Sequence, residues 1–313
     1  MRNKKITTAN RGIMIQALKK MHSVLIEVIP ESSRCYRYLY FLGLRVSARE
    51  RLKKRHVLEL CVPLARHCNL NCRGCSAFSP ISAPHFYELK NLKKDLGHIS
   101  KVVAHKVDCL YLNGGEPLLH PDLTKIIYFC RECFPTGLIK IFTNGTLLLR
   151  QEENFWKACR DCKIILWITH YPISIQIDKI RQRARSYGVE VLWADFSGNK
   201  PKTMWKIPYH LGGGQNQEQS FRLCRQANQC PHIQDGKLFP CGPLNNIETF
   251  NNYFNQNLKV CNADFLEICK IKNKNEIFEF MCHSVPFCRY CNIKGAVFGM
   301  PWGVSKKSMD EWV

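Results

Sequence analysis

The chain has 313 residues, with 46 Lys and Arg against 25 Asp and Glu, 18 Cys, and a formal net charge of +21. Its length predicts one or two domains and a core large enough to need no disulfide framework. Its 45% hydrophobic content and mixed charges exclude a disordered chain. The stretch from Gly12 to Ile29 is broken by Gln16, Lys19, Lys20, His22 and Glu27, which does not fit a secretory leader. No run of about 18 apolar residues predicts a transmembrane helix. The expected compartment is therefore the cytoplasm, where thiols stay reduced, and many reduced cysteines point to metal ligation or redox chemistry.

Residues 1–56 hold 14 Lys and Arg against 3 acidic residues, a net of +11. Met14, Leu18, Met21, Leu25 and Val28 recur at steps of three and four, the period of an amphipathic helix. A second apolar stretch, 38–44, precedes the basic cluster 49–55. The segment reads as a basic helical extension with a solvated face. The alternative is a docking surface for an anionic lipid headgroup, and so peripheral membrane contact, or for an anionic substrate.

From residue 57 strands and helices alternate. Strands are expected over 57–64, 107–112, 138–143, 163–169 and 189–194. Helices are expected over 87–103, 123–134 (after Pro121), 152–162 and 175–187, the last closed by Gly188. This rhythm predicts a parallel sheet, open or closed into a barrel. The unusual residues follow the strands, at the ends where such sheets carry their active sites. The rhythm stops near residue 198, and 212–217 reads as a connector. Asp235-Gly236 signals a tight hairpin and 247–253 a helix. The expected division is 1–56, 57–210 and 211–313.

Directly after the first strand comes Cys68-Asn69-Leu70-Asn71-Cys72-Arg73-Gly74-Cys75. Three thiolates this close let one loop wrap an iron–sulfur cube and leave one iron open to a small molecule. Asn113-Gly114-Gly115-Glu116-Pro117 follows the second strand, and Phe142-Thr143-Asn144-Gly145-Thr146 ends the third. In this order the three segments resemble the radical S-adenosylmethionine (radical SAM) superfamily over roughly residues 57–200. The resemblance implies an α/β fold built on a partial (β/α)6 TIM-type barrel. It implies that Cys68, Cys72 and Cys75 hold a 4Fe–4S cluster whose open iron takes the methionine amino and carboxylate groups of SAM. Gly114, Gly115 and Glu116 would receive the amino group, the glycines by close backbone approach and the carboxylate by pairing with a cation. Asn144 and Thr169 would line the SAM or substrate pocket. One departure is Gly74, where the family often has an aromatic residue. Packing around the adenine would come from elsewhere, with Phe78 the candidate.

Cys224, Gly236, Cys241 and then Cys288-x2-Cys291 resemble the auxiliary-cluster domains of the same superfamily, called SPASM and, in half-length form, twitch. The resemblance implies a small C-terminal domain with one auxiliary 4Fe–4S cluster on Cys224, Cys241, Cys288 and Cys291. Cys230 and Cys282 are the alternates, and a zinc ion on the same thiolates is the competing occupant. Cys130-x2-Cys133 and Cys159-x2-Cys162 read as packed core thiols, or less simply as a zinc site. Cys35, Cys61, Cys109, Cys261 and Cys269 read as small hydrophobes. His67 and His170-Tyr171 follow strands and are candidates for pocket positions.

The expected activity is reductive cleavage of SAM and hydrogen abstraction from a small molecule, such as a sugar or sugar conjugate, or from a peptide, ending in oxidation or bond formation. The expected partners are a reductant such as flavodoxin or ferredoxin and an anionic substrate. An RNA-modifying enzyme and a non-enzymatic metal-binding protein are the alternatives; no aromatic-interleaved RNA module is evident.

Overall fold

The structure is a computed structural model and describes residues 35, 58–193, 203–224, 226 and 231–313. Apart from an exposed Cys35, the basic extension lies outside the described residues, as does Cys230.

The strand and helix order follows the alternation in the sequence. β1 (Glu59–Ala65) is buried from its second residue to its last, as suits a central parallel strand covered on both sides. Then come α1 (Leu89–Val102), β2 (Cys109–Gly114), α2 (Leu123–Cys133), β3 (Leu138–Thr143), α3 (Glu153–Asp161), β4 (Ile164–Ile168), α4 (Ile177–Tyr187) and β5 (Glu190–Trp193). α1 buries Leu92, Leu96 and Ile99, spaced four and three apart. α4 ends on Gly188 at φ +68°, the left-handed cap that a residue without Cβ adopts freely.

After β6 (Thr203–Lys206) the chain forms α5 (Gln217–Leu223), the hairpin β7 (His232–Gln234) and β8 (Lys237–Phe239), α6 (Gly242–Asn245), α7 (Ile247–Phe254), β9 (Leu266–Glu267), α8 (Lys274–Cys282) and β10 (Val297–Pro301). The main sheet has eight strands in the order β5-β4-β3-β2-β1-β7-β8-β9. β1 to β5 are mutually parallel. The sixth parallel strand is β7, which joins the β1 edge at Cys61 and His232. β8 and β9 continue antiparallel, while β6 and β10 form a separate two-stranded ribbon. This is a mostly parallel α/β sheet of partial TIM-barrel type.

Leu60, Val62 and Leu64 of β1 pack with Leu110, Leu112, Ile139, Ile141, Leu166 and Ile168 and with the apolar sides of α1 to α4. Each such aliphatic side chain contributes about 1.5–3 kcal/mol. Cys130, Cys133, Cys159 and Cys162 belong to this core, as their helical spacing predicts. The opposite strand face carries Tyr111, Phe142 and Trp167. The first two rings stack at 5.1 Å, the last two meet edge-on at 5.7 Å, and Lys140 Nζ lies 4.5 Å over Trp167. A second core is aromatic: Phe78, Tyr209, Phe250, Phe287, Tyr290 and Trp312 pack together, tying the segment after β1 to the C-terminal third.

Of the cysteines read as small hydrophobes, Cys109 is buried as expected, whereas Cys261 and Cys269 are exposed, like Cys35. Cys61 is disulfide-bonded, an outcome that its apolar strand neighbours do not announce.

Candidate active site

The loops leaving the carboxyl ends of β1 to β4 meet around a cavity of about 410 Å³. Cys68, Cys72 and Cys75 line it, with Gly114 and Gly115 from the second loop, Asn144 from the third, and Thr169 and Tyr171 from the fourth. Phe142 and Trp167 extend the lining onto the sheet.

Backbone packing explains the glycine pair. A Cβ on Gly114 would stand 2.3 Å from the Ala65 carbonyl oxygen, and one on Gly115 would stand 2.0 Å from that of His67. The amide of Gly115 donates to Ala65 O at 2.7 Å and that of Glu116 to His67 O at 3.1 Å. The pair thus lets the second loop lie flat against the segment that leads into Cys68.

Glu116 is fully buried. Its Oε1 accepts from the Leu118 amide at 3.0 Å and from Thr143 Oγ1 at 2.7 Å, and its Oε2 from the Asn144 amide at 2.9 Å. Burial pushes its carboxyl up to about 7, against the pull of these three donors. In this structure the carboxylate expected to meet a ligand amino group is bonded to three donors of the chain itself. It lies beneath the cavity lining and joins the end of β2 to the end of β3.

Asn144 does reach the first motif. Its Nδ2 donates to Asn69 Oδ1 at 2.8 Å and approaches Cys68 Sγ at 3.7 Å, while its Oδ1 accepts from Thr146. Thr169 donates its amide to Thr143 O at 2.9 Å. His67 Nδ1 accepts from the His85 amide at 3.1 Å and its ring packs on Phe86. His170 packs near Trp193.

The C-terminal segment was not foreseen as part of the site. Residues 301–313 fold back over the first motif. The Arg73 amide donates to Gly303 O at 2.8 Å and the Ser305 amide to Asn71 O at 2.7 Å. Trp302 Nε1 donates to Cys72 Sγ at 3.1 Å, and Trp312 Nε1 to the Cys75 carbonyl at 2.9 Å. Lys206 Nζ anchors the segment through the carbonyls of Asp310 and Val313, at 2.9 Å each. The signal available in the sequence was two of the chain's six tryptophans lying within this short tail.

The tail also accounts for Gly74. Its φ is +64°, its amide donates to Glu311 Oε2 at 3.0 Å, and a Cβ would meet Glu311 O at 3.1 Å. Phe78, the candidate for adenine packing, is wholly buried between Tyr209, Phe250 and Trp312, so that expectation is corrected.

Among the described residues no three Cys, His, Asp or Glu side chains close into a formed metal shell. What favours a cluster is the chemistry at the sulfurs. Burial pushes the Cys68 thiol up to about 12, and Cys75 and Cys72 lie near enough to add to the rise. The Cys68 sulfur accepts from the Leu70 amide at 3.3 Å. The Cys72 sulfur accepts from Trp302 and from the Tyr171 hydroxyl, whose pKa is raised first by burial and then by the three thiols. A Cys68 sulfur that is costly to ionise alone, yet accepts an N–H bond, fits a ligand whose charge a cationic metal centre would offset.

Cys224 follows α5, Cys241 precedes α6, and Cys288 and Cys291 flank the end of the 3-10 turn Pro286–Tyr290. Cys241, Cys288 and Cys224 lie near enough to Cys291 to add to the rise of its pKa, after burial. Burial, the leading cause, pushes Cys288 up to about 12 and raises Cys241 and Cys291 further. Cys282 ends α8 half-buried.

Residues 62–191 match the model of the Radical SAM superfamily. Over these residues the chain is similar to that superfamily. A segment of 104 residues is 32% identical to molybdenum cofactor biosynthesis protein 1 of Bos taurus, covering 33% of this chain and 16% of that protein. A segment of 108 residues is 28% identical to a probable GTP 3′,8-cyclase of Methanocella arvoryzae, covering 34% and 33%. The matches thus span a third or less of these relatives. Among solved structures, BtrN in complex with AdoMet and 2-DOIA aligns with a TM-score of 0.48 at 14% identity, over 76% of this chain and 94% of that one. Among the described residues no helix is long and apolar enough to cross a membrane.

Proposed function

We propose that this chain reductively cleaves S-adenosylmethionine and uses the product to abstract hydrogen from an unactivated C–H bond of a small molecule, ending in an oxidation or bond formation. The observation that carries this reading is the convergence of three separate motifs on one cavity. Cys68, Cys72 and Cys75 line the same 410 Å³ as Gly114, Gly115, Asn144 and Thr169, a size in the range of small-molecule pockets.

In this reading Cys68, Cys72 and Cys75 hold a 4Fe–4S cluster. When bound, it supplies one electron to SAM, yielding methionine and a 5′-deoxyadenosyl radical. The chain's own residues do the positioning. Asn144 and the Leu70 amide orient Cys68, and the exposed backbone of Gly114-Gly115 offers polar groups to the methionine end of SAM. Glu116 keeps the second and third loops in register from below. Tyr171, Trp302 and Trp312 cover the first motif with aromatic surface, which excludes water from reactive species.

Cys224, Cys241, Cys288 and Cys291 would hold an auxiliary 4Fe–4S cluster, with Cys230 the alternate ligand. That centre would accept the second electron of an oxidation or bind substrate. A flavodoxin- or ferredoxin-like protein would be the reductant. The charge of +21 favours an anionic substrate, such as a nucleotide- or lipid-linked sugar.

Anaerobic reconstitution with iron, sulfide and reductant tests the reading. About eight irons per chain and release of 5′-deoxyadenosine from SAM are expected. About four irons would remove the auxiliary cluster, and no 5′-deoxyadenosine would sink the radical chemistry altogether.

A further inference from the structure

Two indole N–H groups of the C-terminal segment meet the first motif, and they do different things. The Trp312 indole donates to the backbone carbonyl of Cys75 at 2.9 Å. The Trp302 indole donates to the sulfur of Cys72 itself, at 3.1 Å. An indole N–H is a donor only, so its partner must supply electron density. A sulfur supplies more of it as its negative charge grows.

The donor is held there by the backbone. Arg73 donates its amide to Gly303 O at 2.8 Å, Ser305 donates to Asn71 O at 2.7 Å, and Cys72 and Val304 form an antiparallel bridge. Trp302 therefore lies in a segment whose neighbours Gly303, Val304 and Ser305 are bonded to the first motif. The Tyr171 ring lies 6.2 Å from it, and the Tyr171 hydroxyl also reaches Cys72. Two donors, one from the fourth loop and one from the tail, thus converge on one of the three sulfurs.

We propose that Trp302 is a positioning residue that sets the reduction potential of the centre held by Cys68, Cys72 and Cys75, through its N–H bond to the Cys72 sulfur. This rests on the reading that those three cysteines hold an iron–sulfur cluster. One-electron reduction adds negative charge that spreads onto the ligating sulfurs. A donor to sulfur stabilises the reduced state more than the oxidised one and raises the potential. Removing the donor therefore moves the potential in the negative direction.

The test is a redox titration of the reconstituted full-length protein, followed by EPR on the signal that changes when SAM is added. This signal separates the first cluster from any auxiliary one. Trp302→Phe should shift the midpoint to more negative potential by about 59 mV, a tenfold change in the one-electron equilibrium. Replacing Trp302 by benzothienylalanine, which keeps the ring shape and lacks the N–H, should give the same shift. Trp312→Phe removes a bond of the same tail that does not touch a sulfur, and should leave the midpoint unchanged. A midpoint unmoved in both Trp302 variants at full iron content overturns the proposal. So does an equal shift in Trp312→Phe, which would make the effect one of tail packing, and so does loss of the cluster from both Trp302 variants, which would make Trp302 a structural strap. Failure of the unaltered protein to assemble any cluster on the first motif is a different result, because it removes the underlying reading.

Discussion

Cys68, Cys72 and Cys75 sit within eight consecutive residues and line a cavity, whereas Cys224, Cys241, Cys288 and Cys291 come from three separate stretches, three of them near the buried Tyr209. The first set owes its proximity to one short loop. What the rest of the chain supplies is the donors around the sulfurs, from Asn144, Tyr171 and Trp302. The second set, if it forms the proposed auxiliary site, would owe that site to tertiary structure: α5, α6 and the turn at 286–290 would all have to pack first. A site built by a loop can be strengthened or tuned from outside, while a site built by packing exists only when the packing does.

The largest expected effect breaks the first set. Cys72→Ala should remove about four irons per chain and bring 5′-deoxyadenosine formation to background; an assay that still releases 5′-deoxyadenosine would defeat the assignment. Cys291→Ala should also remove about four irons, this time with 5′-deoxyadenosine release from SAM retained. If that variant keeps its full iron complement, the four C-terminal thiols are not a second cluster site.

A backbone pair sharpens the contrast further. Gly115→Ala should cost about 3 kcal/mol, because its Cβ would stand 2.0 Å from a carbonyl that cannot yield, and iron incorporation should fall with it. Gly188→Ala, at φ +68° with open space around it, should cost about 1 kcal/mol and leave iron content alone. Denaturant melts with parallel iron analysis read both.

The smallest effect belongs to neither cysteine set. Buried His120 offers Nε2 to Tyr87 O and accepts the Asp122 amide on Nδ1, each at 3.0 Å. Burial holds its pKa below the ordinary 6.5. Its folded pKa is thus below its unfolded one, so its contribution is complete above about pH 6.5 and is lost as the pH falls below that. Melting temperatures measured at about pH 7.5 and about pH 5.5 should fall further for the native protein than for His120→Gln; equal falls would refute the assignment.

Much of the fold could be read from the sequence because its signals are local. Each expected strand from 57 to 194 appears within two residues or so at its ends, and Gly188 caps the helix it was expected to cap. The Cys68 motif was legible for the same reason. The parts that were not legible depend on distant pairs. β7 is three residues long and joins β1 through Cys61 and His232, which leaves no periodic trace. The resemblance implied that Glu116 would pair with a cationic ligand group, whereas the fold buries it and bonds it to the Leu118 and Asn144 amides and the Thr143 hydroxyl. Phe78 was misread because nothing local reveals that three aromatic rings from the C-terminal third surround it.

The tail over the first motif has a consequence for the order of events during synthesis. Trp302 follows Cys72 by 230 residues, which at about 5–20 residues per second is a delay of roughly 10–50 s. For that interval the emerging cysteine loop lacks the segment that bridges to it and the indole that meets its central sulfur. The finished environment of the first motif therefore depends on residues made 230 positions later, and metal delivered before then would meet a loop without its cover.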